Sequence, residues 1–441
     1  MRRAVMVILD GLRRDMISEA STPRLADLAR SATRFTNHRS VFPSTTRVSS
    51  ASLATGCHPS RHELFGNTLA LVEDGDLVLH DAGHPDFLQH KRRLTGRSLG
   101  APTLAERTRD AGGSIVFSNV SPGAAYAQDP DGFGHVYHRA GSFAPGRAAL
   151  PDNEQLEIGP EGEGDRVMTE RFVDEVLFGG RAALGVLWLG HPDTTQHADP
   201  LGSPAHLDAL SAADGHAGLV IDAVGRLRDR GEDILLIVGS DHGHQTVTGT
   251  VDIEAELVAA GLKASEESSD VVVAANGTAS LIYLAPEQGH LAADIAAFLA
   301  SRPWAEHVID RAGLSGVGLA PQHGLAVAVS LRSAQEANAY GVVGTALVAR
   351  ERGGKGVPLG CGQHGGLGPY EQAPFLMVSG SSFGPTTIQD QATSLVDVAP
   401  TILGHLGLPA AGVEGRALQD LTKEETNKSR SATHTAGAPP R

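Results

Sequence analysis

The segment Ala4-Val-Met-Val-Ile-Leu-Asp-Gly11 is an uninterrupted apolar run that ends on a carboxylate. A strand that is apolar at every position, rather than at alternate positions, is typical of a parallel sheet covered by helices on both faces. Such sheets bind their ligands at the carboxyl ends of the strands. The segment therefore predicts a buried strand over Ala4–Leu9 and makes Asp10 a candidate for a functional site.

Apolar strands and amphipathic helices alternate along much of the chain, which predicts an α/β fold with a mainly parallel central sheet. Further strands are predicted at 114–117, 183–189, 233–238, 279–283, 325–331 and 374–378. Helices are predicted at 22–34, 103–111, 166–178, 205–229, 290–301 and 395–407, with another that begins near Thr46 and ends at Gly56. Residues 68–98 and 121–165 show no clear period and are predicted to be loops.

The chain is predicted to have three parts. Residues 1–250 and 346–422 form the core, and 251–345 form a smaller α+β insertion, a cap. The polar stretch 423–441 ends in Ala-Gly-Ala-Pro-Pro-Arg and is predicted to be a disordered tail.

Composition excludes several classes of protein. A net charge of −15 over 441 residues argues against a surface that coats nucleic acid. Two cysteines provide no disulfide framework, and the chain has no apolar span of the length that crosses a bilayer. We therefore expect a cytoplasmic protein without a membrane partner, and we make no prediction of its oligomeric state. Twenty histidines direct attention to metal ions.

The segment Val41-Phe-Pro-Ser-Thr-Thr-Arg47 leads into the helix that ends at Gly56. A hydroxyl in the first turn of a helix lies beside free N–H groups and the positive end of the helix dipole, where phosphate binds well. A threonine there can also be a simple N-cap. This segment alone leaves Thr45 and Thr46 both open as a nucleophile.

Four short stretches carry carboxylates and imidazoles just beyond predicted strand ends. Each stretch is flanked by glycine or proline. They are Asp10, Asp193 and His197 in His-Pro-Asp-Thr-Thr-Gln-His197, Asp241 and His242 in Ser-Asp-His-Gly, and His364 in Gly-Gln-His-Gly-Gly. Mixed aspartate and histidine ligation suits Zn²⁺ and similar divalent ions. Three aspartates and three histidines are enough for two ions with open positions for a substrate.

These motifs, in this order, resemble the alkaline phosphatase superfamily and its type I phosphodiesterase/nucleotide pyrophosphatase-like branch, to which phosphonoacetate hydrolase is related. Pro-Ser-Thr-Thr46, Pro-Asp193-x-x-x-His197, Ser-Asp241-His242-Gly and His364-Gly-Gly occupy the pattern, and 395–403 resembles its closing helix. The resemblance implies an alkaline-phosphatase-like three-layer sandwich and a hydrolase of phosphodiester or nucleotide pyrophosphate-type bonds.

The resemblance also implies a role for each residue. One ion would be held by Asp193, His197 and His364, and the other by Asp10, Asp241 and His242, with Thr46 bridging toward it as the nucleophile. The ions would be zinc, or alternatively manganese or iron. Attack by Thr46 would give a phosphothreonine intermediate, and Asn67 matches an asparagine that holds a phosphoryl oxygen.

Departures from the family pattern keep other substrates open. Arg47 stands where an aromatic side chain is common, Gln196 where glycine is usual and His244 where an apolar residue is common. Arg47 or Lys355 could bind a phosphate or carboxylate of a small-molecule substrate. The alternatives are therefore C–P hydrolysis of the phosphonoacetate type, phosphomonoester hydrolysis, or metal binding without turnover. A sulfatase is excluded because Val41 occupies the position of its convertible cysteine or serine.

Overall fold

The computed structural model describes residues 2–180, 182–354 and 356–421. The predicted tail at 423–441 and Lys355 lie outside the described residues. The strands are β1 (Arg3–Leu9), β2 (Thr33–Phe35), β3 (His38–Arg39), β4 (Thr68–Glu73), β5 (Asp76–Asp81), β6 (Ser114–Ser118), β7 (His135–Tyr137), β8 (Phe143–Ala144), β9 (Ala148–Ala149), β10 (Leu184–Leu189), β11 (Ile234–Gly239), β12 (Gln245–Val251), β13 (Val271–Asn276), β14 (Ala279–Leu284), β15 (Ala305–Ile309), β16 (Leu325–Leu331), β17 (Ser333–Ala337), β18 (Val343–Ala349), β19 (Gly362–Gln363), β20 (Leu376–Ser379), β21 (Thr387–Gln389) and β22 (Thr393–Ser394).

The α-helices lie mostly where the periodic segments predict them. They are α1 (Pro23–Ser31), α2 (Thr46–Thr55), α3 (Pro59–His62), α4 (Phe87–Thr95), α5 (Leu104–Thr108), α6 (Pro122–Ala127), α7 (Gly162–Phe172), α8 (Asp193–Ala198), α9 (Pro204–Asp229), α10 (Ile253–Ala259), α11 (Ala292–Ala300) and α12 (Val398–Leu406). Helix α7 continues as a π-helical segment over Val173–Phe178. None of the helices in the described ranges combines the length and apolarity that a bilayer crossing requires.

The central sheet has the strand order β21-β2-β20-β11-β1-β10-β6-β7-β8-β9. Strand β1 is parallel to both of its neighbours, with Leu9 paired to Leu189 and Ile8 paired to Gly239. Strands β6 and β7 are also parallel, whereas β20 and β8 run antiparallel to their neighbours. The predicted α/β fold with a mainly parallel sheet is therefore confirmed.

The continuous apolar run of β1 is explained by burial on both faces of the sheet. Val5, Val7 and Leu9 belong to a core shared with α1, α7 and α9. Met6 and Ile8 belong to the opposite core, which includes side chains of α2 and α12. Burying an aliphatic side chain of this size contributes about 2 kcal/mol, so both helix layers hold β1 in place. The result is a three-layer sandwich.

The parallel strands position the functional residues. Because β1, β10 and β11 run in the same direction, their carboxyl ends meet at one edge of the sheet. Asp10, Asp193 and Asp241 follow these ends within a few residues. The edge therefore collects three carboxylates from distant parts of the sequence.

A smaller sheet, β13-β14-β16-β15, lies within the segment predicted to be the cap. It has its own core, in which Ile282 and Val327 pack with Leu257 of α10 and Leu299 of α11. A second four-stranded sheet, β17-β18-β12-β19, joins residues on either side of this segment. The division into a core at 1–250 and 346–422 and a cap at 251–345 stays a prediction.

The prediction of loops over residues 68–98 is wrong. Strands β4 and β5 form a hairpin, and α4 follows it. Asp74 and Gly75 connect the two strands with φ values of 50° and 98°. Asp-Gly between two strands is a strong hairpin signal because both residues tolerate positive φ. The stretch 121–165, also predicted to be irregular, contains α6 and β7–β9.

Candidate active site

Helix α2 begins at Thr46, after an extended Thr45, and ends at Gly56 in the left-handed conformation. The side chain of Thr46 borders a cavity of about 260 Å³, and its Oγ1 lies 3.2 Å from Nε2 of His242. Oγ1 of Thr45 is buried without a hydrogen-bond partner. The hydroxyl that faces the cavity at the positive end of α2 is therefore that of Thr46.

Asp10, Asp241 and His242 form a first group of possible metal ligands in the protein interior. One oxygen of each carboxylate is held by the protein: Trp188 Nε1–H donates to Asp10 Oδ2 at 3.1 Å, and the Gly11 N–H donates to Asp241 Oδ1 at 3.2 Å. The remaining oxygens are buried without a hydrogen-bond partner and lie 3.3 Å and 3.2 Å from Nε2 of His242. These unpaired oxygens are the atoms that a cation would contact.

The electrostatics of this first group also favour a bound cation. Burial, and then the charge of Asp241, raise the pKa of Asp10 well above its usual value, and burial raises that of Asp241. Burial alone would lower the pKa of His242, but Asp241 and Asp10 raise it to about 10. Carboxylates that share a buried site need a proton or a metal ion to balance them.

Asp193, His197 and His364 form most of a second group. Asp193 and His197 lie one turn apart on α8, so they share a helix face. The Nε2 atoms of His197 and His364 lie 3.4 Å and 3.6 Å from Asp193 Oδ1. Nδ1–H of His364 donates to the Ser44 carbonyl at 2.7 Å, which leaves its Nε2 lone pair directed at the group.

His244 completes this second group, although it was not predicted as a site residue. Its Nε2 lies 2.7 Å from Asp193 Oδ1, and burial lowers the pKa of the ring to about 3. Burial alone would raise the pKa of Asp193, but His197 and His244 hold it well below its usual range. The sequence signal for His244 was its departure from the family pattern.

Donor spacing tests whether the two groups fit metal ions. Ligands at about 2.0–2.1 Å from a tetrahedral ion are separated from one another by about 3.3 Å. The nitrogen–oxygen separations are 3.2 Å and 3.3 Å in the first group, and 3.4 Å and 3.6 Å for His197 and His364. Both groups therefore fit a divalent ion. The 2.7 Å contact of His244 is a hydrogen-bond distance.

The two groups are neighbours. The rings of His242 and His364 stack with centroids 3.6 Å apart and an angle of 12°. The cavity that Thr46 borders is also lined by Asp10, Asp193, His197 and His364. The structure thus brings together all six predicted ligands and the predicted nucleophile.

Asn67 and Arg47 lie between this cavity and a second one. Both line the cavity at Thr46 and a further cavity of about 310 Å³, which Asp81, Glu351 and Arg352 also border. Asn67 Oδ1 accepts the backbone N–H of Arg47 at 3.3 Å, which leaves the two Nδ2 hydrogens as the donors for a ligand. The Arg47 guanidinium lies 3.5 Å from Asp81 Oδ1, and burial lowers its pKa.

Arg139 is a cavity residue that sequence analysis missed. It comes from the stretch 121–165, where no motif marks it, and it borders the cavity at Thr46. Its Nη1 donates to Asn119 Oδ1 at 2.6 Å, and Asn119 Nδ2 donates to Asp165 Oδ1 at 2.9 Å. This chain of hydrogen bonds fixes a second guanidinium near the nucleophile.

Comparisons with known proteins show the family and the fold of this chain. The family model for type I phosphodiesterase/nucleotide pyrophosphatase matches residues 4–338. Murine ectonucleotide pyrophosphatase/phosphodiesterase 5, as an inactive variant in complex with AMP, superposes with a TM-score of 0.67 and 18% identity, covering 96% of this chain and 100% of that chain.

Two further structures show the same fold. The murine protein in a second structure gives a TM-score of 0.66 at 18% identity, covering 95% of this chain and 99% of that one. The human protein gives 0.63 at 16% identity, with the same coverages of 95% and 99%. No curated protein sequence matches the chain.

Proposed function

We infer from its membership of the type I phosphodiesterase/nucleotide pyrophosphatase family, in the alkaline phosphatase superfamily, that this chain is a phosphoric ester hydrolase. We propose that it cleaves phosphodiester or nucleotide pyrophosphate-type bonds in a two-metal-dependent reaction, through a phosphothreonine on Thr46. One observation carries this proposal. The Thr46 hydroxyl lies at the positive end of α2, 3.2 Å from His242, beside two groups of possible metal ligands.

The proposed ligands divide into two sets of three. Asp10, Asp241 and His242 would hold one ion, and Asp193, His197 and His364 would hold the other. Aspartate and histidine donors at this spacing favour zinc, with manganese and iron as alternatives. Bound divalent ions supply positive charge that lowers the pKa of an attacking hydroxyl and neutralises the phosphoryl group.

The chain's own residues carry out the rest of the reaction. Thr46 Oγ1 forms a bond to phosphorus while the bond from phosphorus to the leaving-group oxygen breaks, and the hydroxyl proton passes to solvent. The Nδ2 hydrogens of Asn67 donate to a phosphoryl oxygen, which lies at the positive end of α2. Water then hydrolyses the phosphothreonine, which restores the Thr46 hydroxyl and releases the second product.

The second cavity is the proposed binding site of the leaving group. Val273 and Ala275 of β13 line it together with Arg47 and Arg352, so the predicted cap at 251–345 contributes to substrate binding. Its volume of about 310 Å³ is at the lower end of the range for small-molecule sites. A nucleotide-containing substrate is consistent with AMP in the murine structure.

Two arginines favour a second candidate function. Arg47 and Arg139 both border the cavity at Thr46, where guanidinium groups can bind a carboxylate or a terminal phosphate. This arrangement supports hydrolysis of a phosphomonoester or a phosphonoacetate-type C–P bond by the same nucleophile.

A comparison of kcat/KM distinguishes these functions. The substrates are an aryl phosphodiester, an aryl phosphate monoester and phosphonoacetate, assayed with zinc- and with manganese-loaded protein. We expect the diester to be preferred. Preference for the monoester or phosphonoacetate would replace the first proposal with the second, and Arg47→Gln should then abolish that preference. No turnover of any of the three with two ions bound would contradict both.

We also propose that the protein is cytoplasmic. Cys57 and Cys361 are both free, which fits a reducing compartment. Fractionation of the native cells, with detection of the full chain, tests this location.

A further inference from the structure

Three donor side chains outside the candidate active site converge on the β4–β5 hairpin. Glu73 lies at the end of β4, His80 lies on β5 and His90 lies on α4; we call them the hairpin triad. Nε2 of His80 and Nε2 of His90 lie 2.6 Å and 2.8 Å from the same Glu73 oxygen, Oε1. The two imidazole rings are 5.1 Å apart between centroids.

The local fold explains this convergence. Leu69 pairs with His80 across the hairpin, and Glu73 lies four residues beyond Leu69 on the same strand. Because side chains alternate between faces, Glu73 and His80 share one face of the hairpin. Phe87 is buried and packs against His80 with ring centroids 6.0 Å apart, and His90 follows one turn later on α4.

We propose that the hairpin triad binds a third divalent metal ion of the zinc, cobalt or nickel type. Two imidazoles and one carboxylate are the protein ligands of many zinc sites that keep one position open. His80 and His90 also border a cavity of about 420 Å³, which provides room for a water or a ligand at that position. This metal-binding site is separate from the two donor groups of the proposed function.

The buried donor atom of His80 supports a metal ion at this site. Its Nε2 is buried and has no hydrogen-bond partner, although Glu73 Oε1 is only 2.6 Å away.

A proton is the competing occupant of this site. His90 Nε2–H can donate to Glu73 Oε1 at 2.8 Å while Arg93 Nη2 donates to Nδ1 of the same ring at 3.4 Å, and an ion at Nε2 would displace this proton. The nitrogen–oxygen separations of 2.6 Å and 2.8 Å are shorter than the roughly 3.3 Å between ligands of a tetrahedral ion. To admit an ion, the partly exposed side chains of Glu73 and His90 would move apart by about half an ångström.

Occupancy of the hairpin triad would also affect the second cavity. His80 borders that cavity and is followed by Asp81, which accepts the Gly83 N–H at 2.7 Å and pairs with Arg47. An ion held by His80 would therefore fix the end of β5 and, through Asp81, the Arg47 guanidinium. This consequence rests on the proposed function, whereas metal binding itself does not.

Metal stoichiometry tests the proposal directly. The full chain is saturated with Zn²⁺, passed through a desalting column and analysed for zinc per chain by mass spectrometry. We expect three ions in the native protein and two in His90→Gln. His84→Gln is the matched control: His84 borders the same cavity but lies outside the triad, so this variant should keep three.

A second variant, together with the number of ions bound by the native protein, makes the test decisive. Glu73→Gln removes the carboxylate with little change in shape and should also bind two ions. Two ions in the native protein, or an unchanged number in both triad variants, would overturn the third site and leave the proposed function standing. Three ions together with no hydrolysis of any phosphoester would support the third site and count against the proposed function.

Discussion

Nε2 of His244 lies 2.7 Å from Oδ1 of Asp193, closer than the other imidazoles of the second ligand group. His244 is fully buried, so this hydrogen bond is shielded from water. Outer partners of this kind fix the orientation of a ligating carboxylate and contribute to metal affinity. His244 is therefore a positioning residue for Asp193.

His244→Leu should weaken one metal site selectively. We expect the affinity for one ion to fall by about 10–100-fold, because Asp193 loses the contact that orients it. The affinity for the other ions should stay unchanged. Titration of the apoprotein with zinc against a chromophoric chelator measures each affinity.

His38→Leu is the control for the loss of a buried histidine. His38 is fully buried and its Nδ1 lies 3.0 Å from Thr393 Oγ1, outside both ligand groups. Its variant should bind zinc as the native protein does. Equal affinities in the native protein and His244→Leu would show that His244 has no part in the metal centre.

Replacement of Thr46 tests the nucleophile. Thr46→Ala removes the hydroxyl that faces the cavity, so we expect kcat to fall by roughly 10⁴-fold or more, as for other covalent nucleophiles. Thr45→Ala removes the neighbouring hydroxyl, which is buried and lacks a partner, and should retain kcat within a few-fold. Steady-state assays with the preferred substrate of the native protein provide both values.

Trapping of the intermediate gives an independent result. Acid quenching with a radiolabelled phosphoester should leave label on Thr46, as located by fragmentation of the labelled peptide, and zinc content should be similar in the two threonine variants. A label on Thr45, or near-normal turnover by Thr46→Ala, would contradict the proposed mechanism.

Much of the fold was predictable because the information is local. The apolar run of β1 indicates burial on both faces, and the structure confirms this in two separate cores. Asp10 directly follows β1, and Asp241 follows soon after the end of β11. Parallel strands bring their carboxyl ends together. The convergence of these carboxylates therefore follows from strand direction alone.

Other residues were not predictable because their positions depend on tertiary contacts. Arg139 reaches the cavity through hydrogen bonds to Asn119, which lies beyond the end of β6. No local pattern specifies that contact. The β4–β5 hairpin did have a local signal in Asp74 and Gly75, but its strands are partly exposed and lack a clear alternation of apolar and polar residues.

Asn67 should contribute to stabilisation of the transition state. Its Oδ1 accepts the Arg47 N–H, so its Nδ2 hydrogens are available to a phosphoryl oxygen. We expect Asn67→Ala to lower kcat by about 10²–10³-fold, the usual effect of removing one such donor. Asn67→Asp should lower it further, because it places an anionic oxygen there.

An exposed asparagine provides the control. Asn153 lies on the surface, and Asn153→Ala should stay within a few-fold of the native kcat. A rise in KM with unchanged kcat in Asn67→Ala would assign Asn67 to ground-state binding instead.

The buried ring of His62 should make the protein less stable in acid. Its Nδ1 accepts the Leu64 N–H at 3.1 Å, and its Nε2 lies 3.0 Å from Ser52 Oγ on α2, so the folded protein holds the neutral ring. Burial, and then the charge of Lys91, lower its pKa to about 3. The pKa in the unfolded chain is about 6.5.

The sign of the effect follows from proton binding. Between pH 6.5 and pH 3 the unfolded chain binds a proton at His62 that the folded chain does not, so the free energy of unfolding falls as pH falls. This contribution is fully present above about pH 6.5 and falls by up to about 1.4 kcal/mol per pH unit below it.

His62→Gln can make similar hydrogen bonds but does not titrate. Urea unfolding at pH 7, 6 and 5, with both proteins in the same metal state, measures this effect. The free energy of unfolding of the native protein should fall relative to that of His62→Gln as the pH falls. Parallel pH dependences would mean that His62 is not held neutral by the fold.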